Sequence, residues 1–138
     1  MKLVIDSNRI IAVLIRDSAN RKILLSGVFE FFTPEHLVDE IAKYQDYIIQ
    51  KAHLTPKSFS LLYSQLFDSI NVIPLAIFQN ELPIASELMS QIDPNDQWFV
   101  AVGITLNLDG IWTEDTHFQQ QTMLPAFSTG DLLPFLER

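Results

Sequence analysis

The chain has 138 residues and no cysteine, with 9 basic side chains, 17 acidic ones and a formal net charge of −8. The absence of cysteine excludes disulfides, thiolate metal sites and cysteine nucleophiles. The charge is also unevenly distributed, because eight of the nine basic residues lie within residues 1–57 and no lysine or arginine occurs between 58 and 137. Any mechanism that needs a cationic side chain must therefore take it from the first 57 residues or from Arg138.

The length and the 48% hydrophobic content are typical of one globular domain around a single core, and we expect that domain to cover residues 1–138. The longest apolar run, residues 10–15, is much shorter than the roughly 20 residues that span a bilayer. The N-terminus also lacks the pattern of a secretory signal. We therefore expect a cytoplasmic protein without a membrane partner.

The first half of the chain alternates short apolar runs with helical patterns. Lys2–Ile5 is a β-rich apolar run that stops at Asp6, typical of a strand covered on both faces of a parallel sheet. The elements predicted after it are helices over 8–15 and 18–26, a strand over 28–32, a helix that Pro34 opens and that runs to 52, and a further helix from Pro56, capped by Thr55. The last two helices are expected to form a hairpin.

The second half continues the same alternation. Its predicted elements are a strand over 70–75, a helix from Pro83, a helix that Asp93 and Pro94 start and that runs to about 107, strands over 110–113 and 126–128, and a final helix from Thr129 or Asp131. This rhythm indicates an α/β fold, with a central parallel sheet of four to five short strands and helices on both faces.

Four carboxylates occur where an α/β sheet commonly binds ligands: Asp6 ends the first strand, Asp115 follows the fourth, Glu40 lies in the long helix and Asp96 in the first turn of another. If they converge, each pair repels by roughly 1–4 kcal/mol, which only a cation makes tolerable. Oxygen ligands without cysteine favour Mg²⁺ or Mn²⁺ over zinc. Such ions, one or two together, typically activate water for attack on phosphate esters.

Each acid also has a structural interpretation. Asp96 fits a helix start that resembles a capping box with Asp93 as the N-cap, Glu40 fits a solvated helix charge, and Asp115 fits a turn. Asp6 fits a structural role least well, because a carboxylate directly after a buried strand destabilises the fold unless it is paired or binds metal. The four together favour a metal site.

The histidines carry less information. His36, His53 and His117 share no metal-ligand spacing, which favours surface or helix-end roles for all three.

Four segments in order resemble PIN-domain ribonucleases, including the VapC-like toxins of toxin–antitoxin pairs. They are residues 3–8 (Leu-Val-Ile-Asp-Ser-Asn), 38–41 (Val-Asp-Glu-Ile), 96–101 (Asp-Gln-Trp-Phe-Val-Ala) and 112–118 (Trp-Thr-Glu-Asp-Thr-His-Phe). The resemblance implies a PIN-like nuclease domain in which one or two divalent ions, with their activated water, cleave RNA. Its ion ligands and catalytic residues would be Asp6, Glu40, Asp96 and Asp115.

The resemblance also implies supporting residues and partners. Ser7 and Thr113 would orient the acids, Asn8 would support the first loop, and Asp93 would be a cap first and an outer metal contact second. The implied partners are an RNA substrate, a small antitoxin protein and a second copy of the chain. The chain departs from the family pattern at His117, where many members carry a second aspartate, and this change bears on the binding of a second ion.

Three basic residues are candidates for contacting RNA phosphates. A helix starting near Asn8 would put Arg9 and Arg16 on one face, and Lys43 would lie one turn from Glu40. These residues are predicted to form a basic rim around the metal site, which gives weak and salt-dependent RNA affinity despite the net negative charge.

Other functions that place an aspartate after a strand fit less well. A signalling receiver domain and a phosphatase of the haloacid dehalogenase type both need a late lysine or arginine, and the chain has none between 58 and 137. The alternative that stays open is a catalytically silent PIN-like domain that serves as a scaffold in RNA processing or protein interaction. His117 and the net charge favour that alternative, whereas the four retained acids favour the nuclease.

Overall fold

The computed structural model of the protein describes residues 1–89 and 96–137, and a sheet of parallel strands lies at its centre. The strands are β1 (Lys2–Ile5), β2 (Glu30–Pro34), β3 (Ile70–Ile73), β4 (Gly110–Trp112) and β5 (Ala126–Phe127). They are all parallel and lie in the order β3-β2-β1-β4-β5. This arrangement confirms the predicted α/β fold with a central parallel sheet.

Helices connect the strands. Within the described residues they are α1 (Ser7–Ile15), α2 (Ala19–Leu25), α3 (His36–Lys43), α4 (Gln45–Ala52), α5 (Pro56–Phe67), α6 (Leu75–Phe78), α7 (Leu82–Met89), α8 (Gln97–Thr105) and α9 (Thr129–Leu132). Short 3-10 segments occupy Gln79–Glu81, Thr116–Gln120 and Leu133–Glu137.

Strand β1 lies at the centre of the sheet, and the order in which strands are added changes side there: β2 and β3 lie on one side of β1, and β4 and β5 on the other. Val4 pairs with Phe32 of β2 on one side, and Ile5 pairs with Trp112 of β4 on the other. Because the chain builds β2 and β3 outward on one side and then returns to build β4 and β5 on the other, the general rule for open α/β sheets places a ligand site beyond the carboxyl ends of β1 and β4. Right-handed connections in the two directions put helices on opposite faces of the sheet.

The core explains the apolar run at the start of the chain. Leu3, Val4 and Ile5 have no solvent-exposed surface, and since successive side chains of a strand point to opposite faces, both faces of β1 are covered. Phe31 of β2 packs against Trp112 of β4, with ring centroids 5.3 Å apart. The buried strand fixes the position of the polar residue that follows it, Asp6.

Glycine allows the close approach of β5 to β4. A Cβ atom at Gly110 would lie 2.6 Å from the carbonyl oxygen of Pro125, which is closer than a side chain tolerates. The residues after β4 are therefore held directly beside β5.

Several predicted boundaries differ from the structure. The single helix predicted over 34–52 is wrong: Pro34 is the last residue of β2, and the helical run is broken at Tyr44, whose φ and ψ of −98° and 7° leave helical geometry. Strand β2 begins at Glu30 rather than at Val28, and β3 ends at Ile73, just before a proline.

Helix starts were predicted more accurately where a side chain caps the backbone. Thr55 accepts a hydrogen bond from the Ser58 N–H at 3.1 Å and Pro56 is the first residue of α5, as expected. Ser18 caps α2 in the same manner. Helix α9 begins at Thr129, one of the two predicted starts, and its N-cap Ser128 forms a capping box with Asp131.

Candidate metal centre

Asp6 lies at the turn from β1 into α1 and is the N-cap of that helix. Its Oδ1 accepts a hydrogen bond from the Arg9 backbone N–H at 2.8 Å, and its Oδ2 accepts one from the Thr113 hydroxyl. Only 4% of Asp6 is exposed. The carboxylate predicted at the end of the first strand is therefore buried, and each of its oxygens accepts a hydrogen bond from the protein.

Thr113 links Asp6 to the segment that follows β4. Its hydroxyl donates to Asp6 and also accepts a hydrogen bond from the Asp115 N–H at 2.9 Å. The Oδ1 of Asp115 in turn accepts from the His117 N–H at 2.9 Å. Because a hydroxyl has only one proton to donate, these contacts fix both the direction of the Thr113 hydroxyl and the path of the chain from Thr113 to His117.

Burial raises the pKa of the Asp6 carboxyl above its ordinary value of 3.8. The hydrogen bonds from Thr113 and from the Arg9 N–H act in the opposite direction, as does the charge of Arg9, while the charge of Asp115 raises the pKa further. Burial is the largest of these influences, since a desolvated carboxylate loses its hydration. Asp115 therefore lies close enough for its charge to act on Asp6.

Glu40 lies on α3 and is held by two side chains. Its Oε2 accepts a hydrogen bond from the Ser7 hydroxyl at 2.8 Å, and its Oε1 lies 3.1 Å from Nε2 of His36, one helical turn away. The hydrogen bond from His36 is the main cause that lowers the pKa of Glu40 below its ordinary value of 4.5, with Ser7 and the charge of Lys43 adding to it. Ser7 thus connects the end of β1 to α3.

His36 also connects α3 to the start of α8. Its ring packs edge-on against Trp98 and Phe99, with centroid distances of 4.7 Å and 5.4 Å. Asp96 directly precedes α8, so the helix that His36 contacts is the one that positions Asp96. Asp96 itself is half-buried.

Within residues 1–89 and 96–137, the side chains that converge as metal ligands are Asp96, Asp115 and His117. One ligand atom from each lies within 4.8 Å of the others. This group contains two of the four predicted ligands together with His117, for which spacing favours a surface or helix-end role and which replaces a second aspartate of the family pattern. Asp6 and Glu40 are not part of the group; they stand next to it through Thr113, Ser7 and His36.

His117 could have been found from the sequence by one signal. It follows Asp115 by two residues, and both are followed by the buried Phe118, which anchors the 3-10 segment in the core. The short spacing between His117 and the candidate ligand Asp115 is more informative than the spacing between His117 and the other histidines. The fold brings Asp96, a ligand that the resemblance implies, to this pair from the start of α8.

A family model described as a PIN domain matches residues 4–124. The chain belongs to the PIN-domain family. PIN domains are generally metal-dependent nucleases that act on RNA and typically use divalent metals. The predicted family resemblance is thereby confirmed at the level of the domain. A search among curated proteins found no relative of the chain.

The donor set of this PIN domain fits a divalent ion. Two carboxylates and an imidazole within 4.8 Å match the ligand types of first-row divalent metals. The additional negative charge of Asp6 and Glu40 nearby favours a cation over an anion. Asp96 and Asp115 would hold the ion, and the imidazole of His117 lies beside them.

The remaining predicted residues of the PIN domain occupy different positions around this group. Arg9 is half-buried, and one of its guanidinium nitrogens lies 3.4 Å from the Oδ1 of Asn20 on α2. Asn8 and Lys43 are exposed. Asp93 lies outside the described residues.

The predicted helical face shared by Arg9 and Arg16 is wrong. Helix α1 ends at Ile15, and Arg16 has extended backbone angles, with φ −145° and ψ 137°. A helix of this length spans about 13 Å, so α1 separates Arg16 from the Asp6 end.

No helix in the described part of the chain has the length and apolar character needed to cross a membrane.

Proposed function

We propose that this PIN domain is a metal-dependent endoribonuclease that hydrolyses RNA phosphodiester bonds with one or two Mg²⁺ or Mn²⁺ ions. The observation that carries the proposal is the convergence of Asp96, Asp115 and His117 beside the buried Asp6. When bound, a divalent ion supplies a nucleophilic water at neutral pH and neutralises charge on the phosphoryl oxygens. The site residues are then Asp6, Glu40, Asp96 and Asp115, with Ser7, Asn8, Asp93 and Thr113 in support.

The protein's own residues have distinct tasks in this proposal. Asp96 and Asp115 hold the ion, and Asp6 fixes the geometry of Asp115 through the Thr113 hydroxyl. Glu40 is ionised at neutral pH, since its pKa lies below its ordinary value. Its two carboxylate oxygens are held by Ser7 and His36.

RNA is held by cations at the rim of this site. Arg9 and Lys43 both act electrostatically on a site acid, Arg9 on Asp6 and Lys43 on Glu40. Phosphates that approach these two residues are brought next to the metal group. With a net charge of −8 on the chain, the affinity is weak and falls with salt.

The test is cleavage of a mixed RNA substrate by the wild-type protein and by Asp96→Asn. Wild type is expected to cleave only with Mg²⁺ or Mn²⁺, and Asp96→Asn is expected to lose at least about 100-fold in rate, because transition-state charge stabilisation by the metal is lost. Asp109→Asn is the matched control. Asp109 accepts from the Lys2 N–H at the opposite end of β1 and β4, so its substitution leaves the metal group intact.

A wild-type protein without divalent-dependent cleavage, indistinguishable from Asp96→Asn, would reject the nuclease. The domain would then be a catalytically silent PIN-like scaffold for RNA processing or protein interaction.

We also propose that the nuclease is the toxin of a toxin–antitoxin pair, acts in the cytoplasm, forms a homodimer and is inhibited by a small antitoxin protein. Exposed apolar side chains on α3 to α5 support a protein partner on that side, since such patches mark interaction surfaces. They are Val38, Tyr44, Tyr47 and Leu61.

The toxin proposal is tested by induced expression in a bacterial host. Growth arrest is expected with wild type and not with Asp96→Asn, and light scattering should give twice the chain mass for both. Normal growth at equal expression would reject the toxin role and leave the nuclease proposal to the cleavage test.

A further inference from the structure

His117 has an unusual relation to Asp115. Its Nδ1 lies 3.4 Å from the Asp115 Oδ1, and this nitrogen is buried without a hydrogen-bond partner, although 44% of the side chain is exposed. The imidazole therefore turns its hidden nitrogen toward the metal group and its opposite edge outward.

With a neutral imidazole this arrangement is unfavourable for the two side chains alone, whereas a protonated ring would form an ion pair with Asp115 at this distance. If Nδ1 carried a hydrogen aimed at Asp115, the pair would form a hydrogen bond, and the structure has none there. If Nδ1 presents its lone pair, that lone pair faces the negative charge of a carboxylate. A cation in contact with both atoms removes the repulsion.

We infer that His117 is a direct nitrogen ligand of the divalent ion and that the site consequently prefers Mn²⁺ to Mg²⁺. The inference rests on the proposed function, which supplies the ion. Imidazole is a ligand for transition metals, whereas Mg²⁺ takes oxygen ligands almost exclusively. Where a second aspartate would make an all-oxygen site, His117 makes a site of two carboxylates and one nitrogen with Asp96 and Asp115.

His36 is the competing nitrogen donor. Its Nε2 is occupied by Glu40 at 3.1 Å, and its ring is packed against Trp98 and Phe99. Its Nδ1 is buried and has no hydrogen-bond partner, so an experiment must tell the two histidines apart.

The experiment is pulsed electron paramagnetic resonance of the full chain loaded with Mn²⁺, using protein with unlabelled and with ¹⁵N-labelled histidine. Directly bound imidazole gives a nitrogen modulation that changes with the label. We expect this signal in wild type, in His36→Gln and in His53→Gln, and its loss in His117→Asp. His53 is the remote control, since it ends α4 and lies outside the metal group.

Calorimetric titration with Mn²⁺ and Mg²⁺ gives a second readout that does not depend on activity. The preference for Mn²⁺ over Mg²⁺ is expected to fall about tenfold in His117→Asp, as is typical when the ligand environment of a metal is altered. Circular dichroism and thermal unfolding check the fold of each variant. His117→Asn serves the same purpose if the aspartate variant does not fold.

The outcomes separate this inference from the proposed function. Mn²⁺ binding without nitrogen modulation, or modulation that persists in His117→Asp, overturns the role of His117 and leaves a metal-dependent nuclease. Absence of any Mn²⁺ or Mg²⁺ binding to wild type overturns both.

Discussion

The end of β1 and the side of α3 each hold one acid beside the metal group, and they do so in opposite ways. Asp6 is buried, and burial raises its pKa. Glu40 is about one-third exposed, and the donors around it lower its pKa. Because Asp6 is buried, its contacts contribute to the stability of the fold. The position of Glu40 depends instead on its hydrogen-bond partners Ser7 and His36. Substitutions should therefore affect mainly stability at Asp6 and mainly metal binding around Glu40.

The largest expected effect is on folding at Asp6. Asp6→Ala and Asp6→Asn both remove the charge, but only Asn keeps an oxygen that can cap α1. Alanine leaves the Arg9 N–H and the Thr113 hydroxyl without their acceptor. We expect Asp6→Ala to be less stable than Asp6→Asn by about 2–3 kcal/mol, from the lost cap and a buried donor left unpaired.

Urea unfolding in the presence of a chelator measures that difference. Equal midpoints for the two variants would contradict a capping role for Asp6 and would leave its burial unexplained.

The second prediction concerns the orientation of Glu40 by His36. His36→Phe keeps a ring against Trp98 and Phe99 but removes the donor to Glu40, whereas His36→Gln keeps a donor and removes the ring. We expect His36→Phe to weaken Mn²⁺ binding about tenfold with little change in stability. His36→Gln should instead lose about 0.5–1.5 kcal/mol of stability and bind Mn²⁺ more nearly as wild type does.

Calorimetry and thermal unfolding on the same samples compare the two variants. If metal affinity follows stability in both, His36 acts through packing alone and does not orient Glu40.

The third prediction uses pH to separate the two acids. A raised pKa in the folded state means that the contribution of Asp6 to stability is present below pH 3.8 and is lost as the pH rises through the folded-state pKa. For Glu40 the sign is reversed: its contribution is present above pH 4.5 and is lost as the pH falls through the folded-state pKa. Arg9 and Asp115 act on the first group, and His36 and Lys43 act on the second.

As the pH rises from 3.5 to 7, the free energy of unfolding of Asp6→Asn should therefore increase relative to that of wild type, with the pH dependence expected for a single titrating group. Glu40→Gln should lose stability relative to wild type over the same interval. Urea unfolding at several pH values in a chelator measures both trends, and trends of the same sign would contradict the opposite environments of the two acids.

The contrast between the two acids also shows what the sequence could predict. Asp6 follows three apolar residues of a strand, so its place at the end of a buried β1 is a local property that the pattern reveals. The break at Tyr44 cannot be predicted from the sequence, because neither glycine nor proline marks it and the apolar spacing continues from α3 into α4. The local sequence pattern does not predict a helix end that is caused by the backbone angles of one residue.

The metal group was predicted in part for a related reason. Asp96 precedes α8 and Asp115 follows β4, so no helical or strand periodicity relates the two residues. The family resemblance, in contrast, predicts that they lie in one site. The spacing among the histidines favours a surface role for His117, whereas the family resemblance marks the same position as one where many members carry a second aspartate. Its partners come from the start of α8 and the end of β4, a juxtaposition that the order of the strands creates.

The smallest expected effect lies on the exposed side of Glu40. Lys43 is exposed and lowers the pKa of Glu40, so it stands near the site, whereas Arg16 is equally charged but lies beyond the far end of α1. In an Asp96→Asn background that prevents cleavage, Lys43→Ala is expected to weaken binding of single-stranded RNA about threefold at low salt. The slope of log affinity against log salt should fall by about 1 for a lost phosphate contact.

Arg16→Ala is the matched comparison, since it changes the net charge equally. Fluorescence anisotropy across a range of salt concentrations measures both variants. If they lose the same affinity and the same slope, RNA responds to the overall charge of the first 57 residues rather than to a basic rim, and Lys43 has no special place beside Glu40. A larger loss for Lys43→Ala locates the RNA on the α3 side of the metal group, where the exposed acid is already ionised and held in place.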